Sequence, residues 1–351
     1  LATATHDIDA LVASLMLPFQ EGRLDWPCAG RVLVLNARLA PALAQAPLER
    51  LVCQQDFRPF FDALHGAGFS VGEHAPAERF ERVLVMPVRQ RDQLRASYAR
   101  ALDRLSPGGV VVGVAANDQG ARSAQADLAA LAGPLSSLSK HRCRVFWSAP
   151  LDAAPDPGLS TAWLDAAAPR PILDGRFVSR PGLFAWDRID AASALLAEHI
   201  AADWSGRAAD LGGGWGYLST QLLARCPGIV ALDLFEAQAQ ALPLARLNLA
   251  AHADRVALGL HWHDVTRGLP QRYDVVVSNP PFHAQGRADD PALGQAFIAA
   301  ATEAMAPGGR LLLVANRHLP YEAALQRGFG DVSVLAQRDG FKLFHASVPR
   351  C

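Results

Sequence analysis

An internal repeat constrains this chain more than any other feature of its sequence. Phe80–Pro87 (FERVLVMP) aligns without a gap on Tyr273–Pro280 (YDVVVSNP). Downstream of each lies a helix-like segment and then a second match. Ser106-Pro107-Gly108-Gly109 with VVVGVAAN stands against Ala306-Pro307-Gly308-Gly309 with RLLLVAN. A PGG turn between a helix and a β-branched run stops the helix and opens a buried strand. Gly30-Arg31 before VLVLN likewise parallels Gly206-Arg207 before AADLGGG. The repeat predicts two tandem α/β domains, and 351 residues suffice for each to bury its own core. The expected division is 1–165 and 166–351, with the Pro/Ala/Asp-rich stretch 149–165 as linker.

The second half alternates strand and helix. Helices are expected at 190–202, 216–225, 236–251 and 291–305, and strands at 207–211, 229–233, 256–260, 273–278 and 310–315. Closing strands near 330–336 and 341–348 have no expected helix between them, which predicts an antiparallel hairpin edge. Regular βα alternation predicts a mostly parallel, doubly wound Rossmann-like sheet with ligands at the carboxyl ends of its strands.

The first chemical constellation is Asp210-Leu211-Gly212-Gly213-Gly214-Trp215-Gly216, at a strand end and helix start. Gly212, Gly214 and Gly216 let the backbone turn tightly and approach a ligand that a Cβ would block. The dinucleotide fingerprint is excluded, because Tyr217 stands where its third glycine belongs. Asp210 would repel a pyrophosphate and suits a cationic ligand; S-adenosylmethionine offers an ammonium and a sulfonium. Asp233, expected to end the next strand, is preferred over Glu236 as the acceptor of both ribose hydroxyls. Glu236 falls at the expected helix start, where it also favours the helix dipole. Asp264 in HWHDV follows the third strand and is the candidate for the adenine amine, with a solvated loop aspartate as the plainer reading. His261 and His263 flank it, but no third ligand accompanies them, so no metal is expected.

The second constellation is Ser278-Asn279-Pro280-Pro281-Phe282-His283 after an apolar strand. Pro280 and Pro281 fix an extended backbone and lack N–H groups, so neighbouring carbonyls face a donor without competition. An exocyclic amine has two hydrogens and a lone pair delocalised into its ring. The Asn279 side-chain carbonyl and a backbone carbonyl can accept both hydrogens and turn that lone pair toward a methyl group. Phe282 offers a stacking face for the base. Such catalysis is mainly positioning, since a sulfonium is already a good leaving group.

With DLGGGWG and SNPPFH together, the second half resembles class I methyltransferases that modify planar amino groups. NPPFH resembles the ribosomal RNA guanine-N2 methyltransferases in particular. Further stretches are similar to that family: Arg180-Pro181-Gly182-Leu183-Phe184 with Asp190 and Ser193, VANRHLPY at 314–321, and Gly340-Phe341-Lys342. In the first half, Gly120-Ala121-Arg122-Ser123-Ala124 and SKHRCR at 139–144 resemble the small-subunit (16S) branch, which carries a degenerate duplicate domain in front. The resemblance spans nearly the whole chain. It implies methyl transfer from S-adenosylmethionine to guanosine N2 in ribosomal RNA, naked or within the 30S subunit, and it adds Phe184 to the cofactor-binding candidates. Gly213 departs from the family, which usually has a cysteine or similar residue there.

The first half lacks this chemistry. In the aligned repeat, Leu35-Asn36-Ala37-Arg38 matches the Gly loop without glycines, and Met86 matches Asn279. This domain is therefore expected to bind no cofactor and to serve recognition or scaffolding. The net charge of −1 carries no bulk basic signal for nucleic acid, so recognition falls to local patches. Two stand out: Arg79, Arg82, Arg89, Arg91, Arg95, Arg100 and Arg104, which interleave with acids as a solvated helix face also would, and the run Lys140-His141-Arg142-Cys143-Arg144. The remaining composition excludes other classes. Half the residues are hydrophobic and 19% are charged, which excludes a disordered chain. No apolar run reaches the ~20 residues of a bilayer span. The N-terminal LATATHDIDALVASLMLPF lacks a basic n-region, so no signal peptide is read, and a start at Leu1 predicts a true start upstream. Five scattered cysteines fit a reducing cytoplasm without disulfides. The rival readings are N5-glutamine methylation of a protein, N6-adenine methylation, and a non-catalytic ribosome-assembly module that holds the cofactor for structure.

Overall fold

The computed structural model describes residues 2–28, 30–281 and 291–349. The chain divides into two compact units between Ala168 and Pro169. In the first, strands β1 (Val32–Leu35), β2 (Leu51–Gln54), β3 (Ser70–Gly72), β4 (Phe80–Val85), β5 (Leu105–Ala116), β6 (Leu135–Lys140) and β7 (Cys143–Ser148) form one sheet. Its order is β3-β2-β1-β4-β5-β7-β6. The second opens with a hairpin, β8 (Arg170–Ile172) and β9 (Phe177–Ser179). Then come β10 (Ser205–Leu211), β11 (Gly228–Glu236), β12 (Ala257–Trp262), β13 (Tyr273–Ser278), β14 (Met305–Asn316), β15 (Phe329–Arg338) and β16 (Phe341–Pro349). Their order, β12-β11-β10-β13-β14-β16-β15, repeats the first sheet position for position. In both sheets the first five strands are parallel and the last two antiparallel.

Both faces of each sheet are covered, so the central strands are continuous apolar runs without alternation. In the second unit, Ala208, Leu232, Leu234, Val275 and Val277 pack on one face, with Leu195 and Leu196 of the helix Ala191–Glu198. Ala209, Leu211, Phe235 and Val276 pack on the other, with Phe297 and Ile298 of the helix Pro291–Glu303. The matched PGG segments are not simple entries to a strand. Pairing resumes on either side of them, and the register shifts between Tyr273 and Val275 and between Phe80 and Arg82. Gly108 and Gly308 share φ +75, a left-handed conformation that favours glycine at this outward bulge.

Two expectations change, and one stretch without an expected element gains one. The stretch 149–165 is not a linker, because Pro157–Ala166 is a helix of the first unit that buries Trp163 in its core. Asp156 caps it by accepting from the Leu159 N–H, and Pro157 starts it; an Asp-Pro pair is a helix entry as readily as a loop signal. The helix expected over 236–251 is shorter, Leu242–Asn248, because β11 runs on to Glu236 and Pro243 fits only in the first turn. The apolar N-terminal stretch is a helix, Ala2–Gln20, whose Val12, Leu15 and Met16 enter the first core.

Candidate active site of the second unit

The site is built where four parallel strands end together. Gly212 and Gly213 donate their N–H groups to the Phe235 carbonyl at 2.9 and 3.1 Å, tying the loop after β10 to the end of β11. Ser278 Oγ donates to the Leu211 carbonyl at 2.9 Å, tying the same loop to the end of β13. The His263 N–H donates to the Glu236 carbonyl at 2.9 Å and brings in the end of β12. Gly212, Gly214 and Gly216 have φ of +73, +55 and +91, so the turn requires them. Trp215 pins the loop from behind. Its ring lies 5.1 Å from Phe177 of the β8–β9 hairpin, and its carbonyl accepts from Asn248 Nδ2 at 2.7 Å.

Asp210, the next-to-last residue of β10, is fully buried. One carboxylate oxygen accepts from Ser219 Oγ at 2.7 Å; the other has no hydrogen-bond partner among the described residues. Burial pushes its pKa up to about 7, partly offset by the Ser219 hydrogen bonds, and nearby Glu236 raises it further.

The acid on β11 is a correction. Asp233 does not end that strand, which continues for three residues to Glu236. Side chains alternate along a strand, so Asp233 and Phe235 share one face, while Leu234 and Glu236 share the other. Asp233 is engaged on its own face: His261 Nε2 donates to it at 2.7 Å, Tyr273 OH at 3.0 Å, and the Gln271 amide donates as well. Glu236 accepts from the Gly214 N–H and from the Gln238 N–H, both at 2.8 Å. Its carboxylate therefore touches the Gly loop, and Asp233 does not. Burial pushes the Glu236 pKa up while the backbone N–H groups of Gln238, Gly214 and Ala237 pull it back.

Asp264 stands after β12 as expected, and one of its oxygens caps the short turn Val265–Arg267. That oxygen accepts from the Thr266 N–H at 3.0 Å and from Thr266 Oγ1 at 2.7 Å. Phe184, the other cofactor-binding candidate, is 66% exposed. His263 Nε2 lies 2.6 Å from the Gly268 carbonyl, and with His261 bound to Asp233 both histidines already have structural partners.

Asn279 follows β13, with Pro280 buried behind it. Its Nδ2 donates to Asp190 Oδ2 at 3.0 Å and to Ser193 Oγ at 2.8 Å. Its Oδ1 is buried without a hydrogen-bond partner among the described residues. A buried carbonyl oxygen left unpaired is costly, and an amine donor is the natural complement. Phe282 and His283 lie outside the described residues. Asp190 and Ser193 are the residues whose task sequence reasoning missed; the D-x-x-S spacing at a helix start was the available signal.

The Methyltransferase small domain family matches residues 174–345. The chain is 36% identical over 261 residues to the ribosomal RNA small subunit methyltransferase C of Pseudomonas aeruginosa (strain LESB58), covering 73% of this chain and 74% of that one. To the protein of the same name from Yersinia enterocolitica it is 30% identical, covering 75% and 73%. The solved structure of the T. thermophilus 16S rRNA N2 G1207 methyltransferase, in complex with AdoMet and guanosine, superposes with a TM-score of 0.78. That match has 25% identity and covers 97% of this chain and 92% of the other. A duplicated methyltransferase sheet, one Gly loop and one NPP site thus occur together at this level of identity, and the chain belongs to the ribosomal RNA small subunit methyltransferase C family.

Proposed function

We propose that this chain transfers a methyl group from S-adenosylmethionine to the exocyclic N2 of a guanosine in 16S ribosomal RNA. The observation that carries the reading is the Asn279 amide, held by its nitrogen with its buried oxygen left to accept. The Gly loop fits the cofactor: three left-handed glycines keep the backbone bare, and the buried carboxyl groups of Asp210 and Glu236, whose ionised form burial disfavours, are the kind of groups a cationic ligand stabilises on binding. Glu236 takes the ribose-binding role in this reading, Asp210 faces the methionine end, and the second oxygen of Asp264 is left for the adenine amine. When bound, the cofactor supplies an electrophilic methyl on a sulfonium leaving group.

The residues of the chain do the positioning. Asn279 Oδ1 accepts one N2 hydrogen, and a backbone carbonyl of the Pro280–Pro281 segment accepts the other. The amine lone pair is then directed out of the base plane, and the spent proton leaves to solvent. Phe282, and the exposed ring of Phe184, are the proposed stacking faces for the base. A paired guanine hides its N2, so the target is unpaired or flipped out. The first unit is proposed to contact RNA through Arg142 and Arg144, in the cytoplasm and on the 30S particle or its naked RNA.

The test is tritiated-methyl transfer to naked 16S RNA, 30S particles, 50S particles and a release factor, followed by mass mapping of the product. The expected product is N2-methylguanosine in 16S RNA, with the nucleotide corresponding to G1207 as the first position to map. Label on the release factor or on adenine N6 would replace this reading with one of its rivals, and no transfer at all would leave an assembly module. Asn279→Ala should lower kcat by about a hundredfold or more with cofactor affinity unchanged, as expected for a group that acts on the reacting amine.

A further inference from the structure

We infer that Asp190 is a positioning residue for methyl transfer: it fixes which end of the Asn279 amide faces the substrate. This rests on the guanine-N2 reading above. A primary amide has nearly the same shape either way round, and only its neighbours distinguish oxygen from nitrogen. Ser193 Oγ, 2.8 Å from Nδ2, can donate or accept and so does not choose. An ionised Asp190 carboxylate can only accept. Its Oδ2 lies 3.0 Å from Asn279 Nδ2, so a flipped amide would set oxygen against oxygen there. The same flip would present an NH2 group to the substrate amine, donor against donor.

Asp190 is itself held in place. Its Oδ2 also accepts from the Ser193 N–H at 2.9 Å, capping the helix Ala191–Glu198. Ala192, Leu195 and Leu196 of that helix are buried in the core beside the central strands. The orienting carboxylate thus stands on a rigid element anchored apart from the loop it orients, which is what a preorganised site requires. A helix cap alone does not need a carboxylate, because Ser, Thr or Asn serves as well. The choice of an acceptor-only group at this cap is what the Asn279 amide demands.

The experiment separates capping from orienting. Asp190→Asn keeps size and capping preference but can offer Asn279 a donor, which makes both amide orientations acceptable. On the full chain we expect thermal stability within about 2 °C of wild type, a cofactor Kd within about twofold, an RNA KM little changed, and kcat lower by about tenfold. Asn279→Asp alone opposes two carboxylates and should lose activity more severely. Adding Asp190→Asn to it restores a donor–acceptor pair and should raise kcat about tenfold over the single variant. Wild-type kcat in Asp190→Asn, or no gain in the double variant, would overturn the positioning role while the wild-type N2 product still upholds the reading beneath it. A wild-type enzyme that makes no N2-methylguanosine would instead remove that reading.

Discussion

The two units share one strand order and differ in what their strand ends hold. Register makes the comparison residue by residue: Leu35 pairs with Val85 as Leu211 pairs with Ser278. Asn36 therefore occupies the place of Gly212, and Met86 that of Asn279. Asn36 takes the same left-handed turn, with φ +54 against +73, but its side chain fills the space above the sheet. Its Nδ2 donates to the Met86 carbonyl at 3.2 Å and to Ser97 Oγ at 3.3 Å. Gln55 occupies the place of Glu236 and keeps half its bonds. Its Oε1 accepts from the Phe57 N–H at 2.9 Å, as Glu236 accepts from Gln238, but its amide donates to the Ala37 carbonyl at 2.7 Å. Val34 replaces Asp210. At these strand ends the first unit carries its own side chains, Arg38 in the place of Gly214 among them, where the second has bare glycines and carboxylates, and the sheet below keeps its strand order. Burial of apolar strands maintains the fold, while a few loop residues decide whether it can bind.

The comparison is broken most severely by giving the second unit the first unit's residue. Gly212→Asn tolerates the left-handed turn but brings a side chain into the cradle, so cofactor binding should fall by more than about a hundredfold while the fold melts within a few degrees of wild type. Calorimetry on the wild type should find one cofactor per chain; two would mean that the first unit binds as well. Glu236→Gln repeats the change already present at Gln55. Loss of charge-assisted hydrogen bonds worth roughly 1.5–3 kcal/mol should weaken the cofactor by about ten- to a hundredfold. Asp233→Asn should leave that affinity alone and cost stability, because its partners are His261, Gln271 and Tyr273.

The β6–β7 turn sharpens the contrast from the other side. His141 and Arg142 hold φ +54 and +59 where the second unit's matching turn uses Asp339 and Gly340. Two residues other than glycine in this region cost roughly 1–2 kcal/mol each. Both side chains are exposed, so packing does not offset that cost. The Arg cluster at 89–104, by contrast, is partly structural. Arg91 and Arg95 bond buried Asp127; burial alone would push its carboxyl up, and these two arginines hold it below the usual range. Charge reversal at Arg142 with Arg144 should therefore weaken RNA binding by about tenfold and flatten its salt dependence by about one unit per lost phosphate contact. Cofactor affinity measured on the same variant should not move.

The smallest expected effect is a pH dependence belonging to the second unit alone. The pKa of Asp210 is raised from 3.8 to about 7 on folding, so between those values the folded chain holds a proton that the unfolded chain does not. Stability of the cofactor-free protein is then lost as pH rises through that window, and Asp210→Asn should remove the share that Asp210 contributes, leaving that of Glu236. We expect wild type to lose about 5–10 °C relative to the variant between pH 5 and pH 8 in thermal melts. An identical slope in both proteins would place the proton elsewhere.

The duplication, the parallel sheet with its antiparallel edge, the Gly loop and the NPP site were legible in the sequence. Each depends on local rules: apolar runs that must be buried on both faces, glycines needed for left-handed turns, and prolines that remove N–H groups. The length of β11 was not legible, because IVALDLFE reads equally as a strand ending at Asp233 or at Glu236. Only pairing with β12 as far as Trp262 extends it, and that extension decides which acid meets Gly214. The helix at 157–166 was hidden for a related reason, since a Pro/Ala/Asp-rich stretch becomes a helix once Trp163 has a core to enter. The sense of the Asn279 amide was beyond any local rule. Asp190 lies 89 residues away in the chain, and only the folded sheet brings its carboxylate to the one nitrogen that leaves Oδ1 free to accept.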